Sequence, residues 1–192
     1  MTTGILSLQG NFLDHARSLE LIKKDYKLVK QKSDLKNIDS LILPGGESTS
    51  MIKIQSNNAL FKELNILIND GIPTIGTCAG LILLAKDVID GEIAIGLLDC
   101  VVERNAYGRQ NESFEGLVNF LENTQMYCFI RSPKILKTGK NVKNIAFIDE
   151  EVVGIQQNNI AAFTFHPELT NDKNYLSWLK YFIEEGKNVR SF

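Results

Sequence analysis

The 192-residue sequence predicts an open three-layer α/β domain, a mostly parallel sheet with helices on both faces and some antiparallel strands added. Two observations carry this expectation. Through the first third, short continuous apolar runs alternate with helical periodicity, as strands buried on both faces alternate with crossover helices. The second half is richer in strand candidates separated by turn signals.

Residues 4–8, Gly-Ile-Leu-Ser-Leu, read as a buried strand. Phe12, Ala16, Leu19 and Ile22 then mark one face of a helix, and the polar pair Asp14-His15 reads as its solvated side. Residues 27–29 and 40–43 are further strands, the second stopped by Pro44-Gly45-Gly46. Leu60, Leu64 and Leu67 mark a helix that ends at Asn69-Asp70-Gly71, with Pro73 just beyond. Residues 72–76 form a strand running into Thr77-Cys78-Ala79-Gly80, and residues 81–85 begin a helix. The later strand candidates are 98–102, 126–130, 144–148, 152–156 and 160–165, the last two joined by the hairpin turn Gln156-Gln157-Asn158-Asn159. The Lys/Asn-rich stretch 134–144 reads as a solvated loop, and Leu176, Leu179 and Ile183 mark a closing helix.

Composition narrows the function classes. With 21 Lys+Arg against 23 Asp+Glu the net charge is −2, which argues against a nucleic-acid binder that relies on a basic face. No apolar run reaches the ~20 residues of a membrane span, and the N-terminus has no signal-peptide pattern, so a cytoplasmic protein that does not engage membranes is expected. Without a linker or repeat, residues 1–192 read as a single domain. Three widely spaced cysteines fit neither a disulfide framework nor a metal ligand set.

One of them has a context. Gly76-Thr77-Cys78-Ala79-Gly80 is G-x-C-x-G between a strand and a helix, the nucleophile-elbow arrangement with cysteine in the nucleophile's place. The glycines let neighbouring backbone pass a tight turn, and the N–H groups that follow can stabilise negative charge. The plain alternative is a small buried apolar residue at a strand end, the reading that Cys100 and Cys128 keep. A thiolate nucleophile needs a base, and the chain has two histidines. His166 follows an apolar run and stands in His166-Pro167-Glu168. On an extended strand end, Glu168 shares its side and can fix its tautomer. Leu43-Pro44-Gly45-Gly46-Glu47-Ser48-Thr49, also at a strand end, can supply an oxyanion donor beside the Ala79 N–H, or be a generic Gly-Gly turn. It does not match a P-loop.

Together LPGGEST, GTCAGLILLAK and FHPELT resemble the triad (class I) glutamine amidotransferases. GILSLQGNFLDH, ERNAYGRQ at 103–110 and FIRSP at 129–133 narrow the resemblance to the PdxT/SNO family, the glutaminase subunit of pyridoxal 5′-phosphate synthase. The motifs run in order from residue 4 to residue 170. Leu13-Asp14-His15 departs from a more basic triplet, and the region 86–98 is short.

The resemblance implies a flavodoxin-like sheet. It also implies Cys78 as nucleophile, His166 as acid/base and Glu168 as its orienting carboxylate. It places Gly46, Glu47 and Ser48 around glutamine, with Arg104, Ile130 and Arg131 as further contacts and Gly46 and Ala79 as oxyanion donors. Glutamine hydrolysis of this kind needs no metal or organic cofactor. These 192 residues are not expected to hold a second catalytic domain that would use the ammonia. The implied partner is a TIM-barrel pyridoxal 5′-phosphate synthase subunit, in a large hetero-oligomer with equal numbers of each. The resemblance also implies that residues 9–15 meet that partner and help order the oxyanion site. The residues alone leave three other readings open: a glutaminase subunit of another amidotransferase, a cysteine peptidase or γ-glutamyl hydrolase, or a catalytically silent scaffold.

Overall fold

The computed structural model describes residues 1–55, 59–104, 106 and 113–186. Chain order begins β1 (Thr2–Leu6), α1 (Phe12–Leu21), β2 (Asp25–Val29), β3 (Ser40–Leu43), α2 (Ser48–Gln55), α3 (Leu60–Asn69), β4 (Thr74–Thr77) and α4 (Ala79–Leu84). It continues with β5 (Ala85–Ile89), β6 (Leu98–Glu103), β7 (Phe114–Phe120), β8 (Asn123–Phe129), β9 (Lys134–Thr138), β10 (Lys143–Ile148), β11 (Glu151–Gln157), β12 (Ile160–Phe163) and α5 (Lys173–Glu185).

Among the described residues the main sheet has nine strands in the order β2-β1-β3-β4-β12-β11-β10-β7-β8. The pairings from β2 through to β12 are parallel, the flavodoxin-like arrangement. Those from β12 out to β8 are antiparallel, so the added strands β11, β10, β7 and β8 make up four of the nine. A separate three-stranded sheet runs β5-β6-β9.

Side-chain alternation along the central strands builds the three layers. Leu6, Leu41, Leu43 and Ala162 join one core with Leu60, Leu64 and Ile68 of α3 and the wholly buried α4. Ile5, Ile42, Ile75, Ala161 and Phe163 face the other way, against Leu19 of α1 and Leu179 and Phe182 of α5. Aromatic rings concentrate on this second face. Phe163 lies 5.4 Å from Phe120, 5.2 Å from Phe165 and 5.4 Å from Trp178, centroid to centroid.

Three local expectations need correction. Residues 134–138 are not loop but β9, antiparallel to β6, and its Ile135 is buried among lysines that stay at the surface. The helix after Cys78 is short, because the chain turns extended at Ala85 to enter β5. Residues 167–169 are not extended but form a 3-10 turn, with Pro167 at its start, where its missing N–H costs nothing. Elements α2, β5 and β7 carried no clear periodic signal. Among the described residues no helix is long and apolar enough to cross a membrane.

Replacing Phe163 with Ala empties the centre of the aromatic cluster. The expected loss is about 3–5 kcal/mol of unfolding free energy, read from urea denaturation of the variant against the parent.

Candidate active site

The carboxyl ends of β3, β4 and β12 bring three loops together, each carrying one part of the site. Cys78 follows β4 with φ 49° and ψ −102°, the strained elbow that lifts the thiol from the sheet into the N-terminus of α4. Its N–H donates to the Phe163 carbonyl at 2.9 Å, which ties the elbow to β12. The flanking glycines are required by contact. A Cβ at Gly80 would overlap the Leu43 carbonyl, and one at Gly76 would sit 2.8 Å from the Gly80 backbone.

His166 begins just past β12. Its N–H donates to the Cys128 carbonyl of β8 at 2.9 Å, the bridge that anchors the loop to the edge strand of the same sheet. The 3-10 turn returns Glu168 to its own histidine, with Oε1 2.8 Å from Nδ1. Glu168 accepts only, so Nδ1 carries the proton and donates. His166 Nε2 is left without a nitrogen or oxygen partner among the described residues. The group at that end of the ring is the Cys78 thiol, which also donates to the Ile130 carbonyl at 3.6 Å. A Cβ at Gly45 would collide with the imidazole, so the glycine loop after β3 forms the ring's other wall.

Burial opposes charge on both members of the His166–Glu168 pair, and their attraction overrides it. Desolvation would lower His166. Glu168's charge, with hydrogen bonds to Cys78 and Glu168, instead holds it well above 6.5. Desolvation would raise Glu168, and the two neighbouring histidines push it down to about 2.

The loop after β3 is locked from below by residues 9–11. Gln9 Oε1 accepts from the Glu47 N–H at 2.6 Å, and the Asn11 N–H donates to the Gly45 carbonyl at 3.2 Å. In a trans peptide this turns the Gly46 N–H away from residues 9–11. Glu47 pairs with Arg131, Ser48 is buried at the start of α2, and Ala79 opens α4 directly after Cys78. Arg104 stands apart from Cys78, His166 and Glu168. Its guanidinium donates to Thr49 Oγ1 at 2.7 Å and to the Asp90 carbonyl at 3.4 Å, on the rim of a cavity of about 240 Å³. Of the ERNAYGRQ segment, position 105 and positions 107–110 lie outside the described residues. Among the described residues no cluster of His, Cys, Asp and Glu could hold a metal ion.

Sequence reasoning placed one residue wrongly and overlooked another. His15 is not on a solvated face but fully buried, its Nε2 3.1 Å from Thr77 Oγ1 and 3.4 Å from Glu168 Oε1. Its spacing from Phe12 and Leu19, three and four residues, puts it on the apolar face, and that was the usable signal. Asn11 also reaches Glu168 Oε1 through its amide nitrogen. A lone Asn before a helix reads as a cap, so nothing in the sequence marked it.

A family model described as the SNO glutamine amidotransferase family matches residues 5–188. Pyridoxal 5′-phosphate synthase subunit PdxT of Thermotoga petrophila is 44% identical over 191 residues, covering 97% of this chain and 100% of that one. The PdxT subunit of Methanocorpusculum labreanum is 47% identical over 175 residues, with 90% and 92% covered. A crystal structure of a glutamine amidotransferase superposes with a TM-score of 0.88 at 35% identity, covering 96% of this chain and 98% of that one. The structure of PurLQS from Thermotoga maritima shares the fold at a TM-score of 0.66 and 16% identity, covering 97% and 96%.

The pair gives stability a defined pH window. Glu168's contribution is full above its ordinary value of 4.5 and fades as pH falls toward about 2. His166's is full below 6.5 and fades as pH rises through its raised value. The urea midpoint of the parent should therefore exceed that of Glu168→Gln most between pH 4.5 and 6.5, and the gap should narrow on both sides.

Proposed function

The chain belongs to the SNO glutamine amidotransferase family, and on that premise we propose that it is the glutaminase subunit of a pyridoxal 5′-phosphate synthase, using Cys78, His166 and Glu168 to release ammonia from L-glutamine. The observation that carries this is the ordered line of three groups. A cysteine on a strained elbow meets the open face of an imidazole whose other nitrogen is held at 2.8 Å by a buried carboxylate.

The chemistry follows from that order. The His166 Nε2 lone pair takes the thiol proton, and the Cys78 sulfur attacks the side-chain amide carbon of glutamine. The carbonyl oxygen becomes an oxyanion, for which the N–H groups of Gly46 and Ala79 are the candidate donors, worth about 3 kcal/mol each. The tetrahedral intermediate collapses, His166 protonates the leaving nitrogen, and ammonia departs with a γ-glutamyl thioester left on Cys78. Water then attacks the thioester carbonyl, giving its proton to His166. The sulfur leaves, glutamate is released and the thiol is restored. Glu168 keeps one nitrogen of the ring protonated and the other directed at the chemistry throughout.

Glu47 and Arg131, paired across the mouth, with Ser48, the Ile130 carbonyl and Arg104, are the candidate groups for the amino-acid end of glutamine. The guanidinium of Arg104 or Arg131 suits its α-carboxylate. Residues 1–192 serve as one glutaminase unit on this reading, cytoplasmic and without a resident cofactor. Ammonia released into water is protonated and lost as a nucleophile, so a synthase subunit must receive it. A TIM-barrel synthase in equal numbers with this chain is the proposed form of that partner. The grip of residues 9–11 on the Gly45-Gly46 loop gives such a partner a lever on the oxyanion site.

Reconstituted with its synthase, Cys78→Ala should abolish glutamine-dependent pyridoxal 5′-phosphate formation and leave formation from added ammonium salt near the parent level. Parent chain alone should hydrolyse glutamine slowly, and adding the synthase should raise the rate. Glutamine turnover surviving in Cys78→Ala would refute the assignment.

A further inference from the structure

The triad carboxylate has more partners than the reaction needs. Glu168 Oε1 receives the His166 Nδ1–H at 2.8 Å, while Oε2 has no hydrogen-bond partner among the described residues. Two further nitrogens converge on the occupied oxygen, not on the empty one. The Asn11 amide reaches it from the residue before α1, and His15 Nε2 stands 3.4 Å away, one turn into that helix. The hydrogen positions follow from what a carboxylate can do. An ionised Glu168 only accepts, so Asn11 must present its NH2 group and not its carbonyl oxygen.

The same rule fixes the tautomer of His15. A proton on Nδ1 would strand a buried N–H, because Nδ1 has no partner, and would aim the Nε2 lone pair at a negative oxygen. A proton on Nε2 removes both penalties and also serves Thr77 Oγ1 at 3.1 Å, on the residue before the nucleophile. The charged and titratable groups that bear on His15 are Glu168, His166 and Asp14, the last from its own helix. Burial is the largest influence and keeps the ring neutral, below its ordinary 6.5. Around Glu168 stand His15, His166 and, from α5, Tyr175, a fully buried phenol whose own proton is retained.

We propose that Asn11 and His15 are positioning residues for this site: Asn11 donates to Glu168 Oε1, His15 donates to Thr77 Oγ1 with its Nε2–H end 3.4 Å from the same carboxylate oxygen, and together they fix the carboxylate that fixes the His166 ring in front of Cys78. Neither touches the substrate. They act by holding one oxygen in place and by drawing off part of its negative charge, which tempers its pull on the His166 proton. The same segment carries Gln9, which holds the Glu47 N–H, so one stretch of chain steadies both the glycine loop and the carboxylate. The kinetic part of this inference rests on the glutaminase reading; the hydrogen-bond part does not.

The chain's two histidines make the test direct. In the full chain labelled with 15N in its imidazoles, NMR should resolve two rings, with His15 assigned by its disappearance in His15→Gln. His15 should titrate below the ordinary 6.5, and in its neutral form carry its proton on Nε2. Ordinary titration near 6.5, or a proton on Nδ1, would overturn the proposal even if every variant misfolded. In His15→Leu and Asn11→Leu, the His166 titration should move up by about half a pH unit as Glu168 loses a polar N–H group beside its charge. With the synthase present, kcat for glutamine should fall about tenfold in both, with KM nearly unchanged. His15→Gln, which keeps an N–H donor, should recover most of the loss. Leucine variants with parental kcat and an unmoved His166 would refute the roles assigned, as would a glutamine variant no better than leucine. A parent complex that turns over no glutamine would strike the proposed activity instead and leave the tautomer result to decide this inference.

Discussion

A carboxylate with no exposed surface is the constraint around which the rest of the site is arranged. Burying Glu168 as an anion costs several kcal/mol unless the protein replaces the water it loses. His166 and Asn11, the residue before α1, each supply a donor, and the neutral His15 ring from α1 closes over the same oxygen at 3.4 Å. The charge is thereby kept, and a kept charge is what holds the His166 Nδ1–H in place and turns Nε2 toward Cys78. Were Glu168 solvated, its attraction for the imidazole would be screened and the ring would be free to turn.

The sheet makes this burial possible. Parallel strands β3, β4 and β12 end at one level, so the loops that follow them meet without long excursions. Close approach then does the fine placement. Gly80 lets α4 lie against the Leu43 carbonyl, and Gly45 lets the loop after β3 lie against the His166 ring. The antiparallel half contributes from the other side, through the Cys128 carbonyl that holds the His166 N–H and the Ile130 carbonyl beside the Cys78 thiol. The Cys78 φ of 49° is sustained by these surroundings and would relax in an isolated strand–turn–helix.

The legible part of this site was the part encoded locally. G-x-C-x-G between a strand and a helix announces an elbow because the steric demand of the turn is met by adjacent residues. The contact between His166 and Glu168 was foreseen through an extended strand end, whereas the chain makes it through a 3-10 turn that Pro167 begins. Two residues apart, both geometries bring the side chains together. What escaped was non-local. Asn11 and His15 meet Glu168 across more than 150 residues of chain, and no spacing rule reaches that far. His15 could have been recognised as buried from its helical phase, but its polar neighbour Asp14 drew it to the surface. Lys134 to Thr138 were missed for a related reason. An edge strand with one buried residue, Ile135, and flanking lysines has too little apolar pattern to stand out from a loop.

The central claim is that Cys78 attacks a glutamine side chain and carries the γ-glutamyl group. The most direct measurement is mass spectrometry of the chain, bound to its synthase, after reaction with a glutamine analogue whose side-chain amide is replaced by an electrophile. A single adduct on the peptide containing Cys78, prevented by excess L-glutamine, is the expected result. No adduct, or one placed on Cys100 or Cys128 with Cys78 untouched, would contradict it.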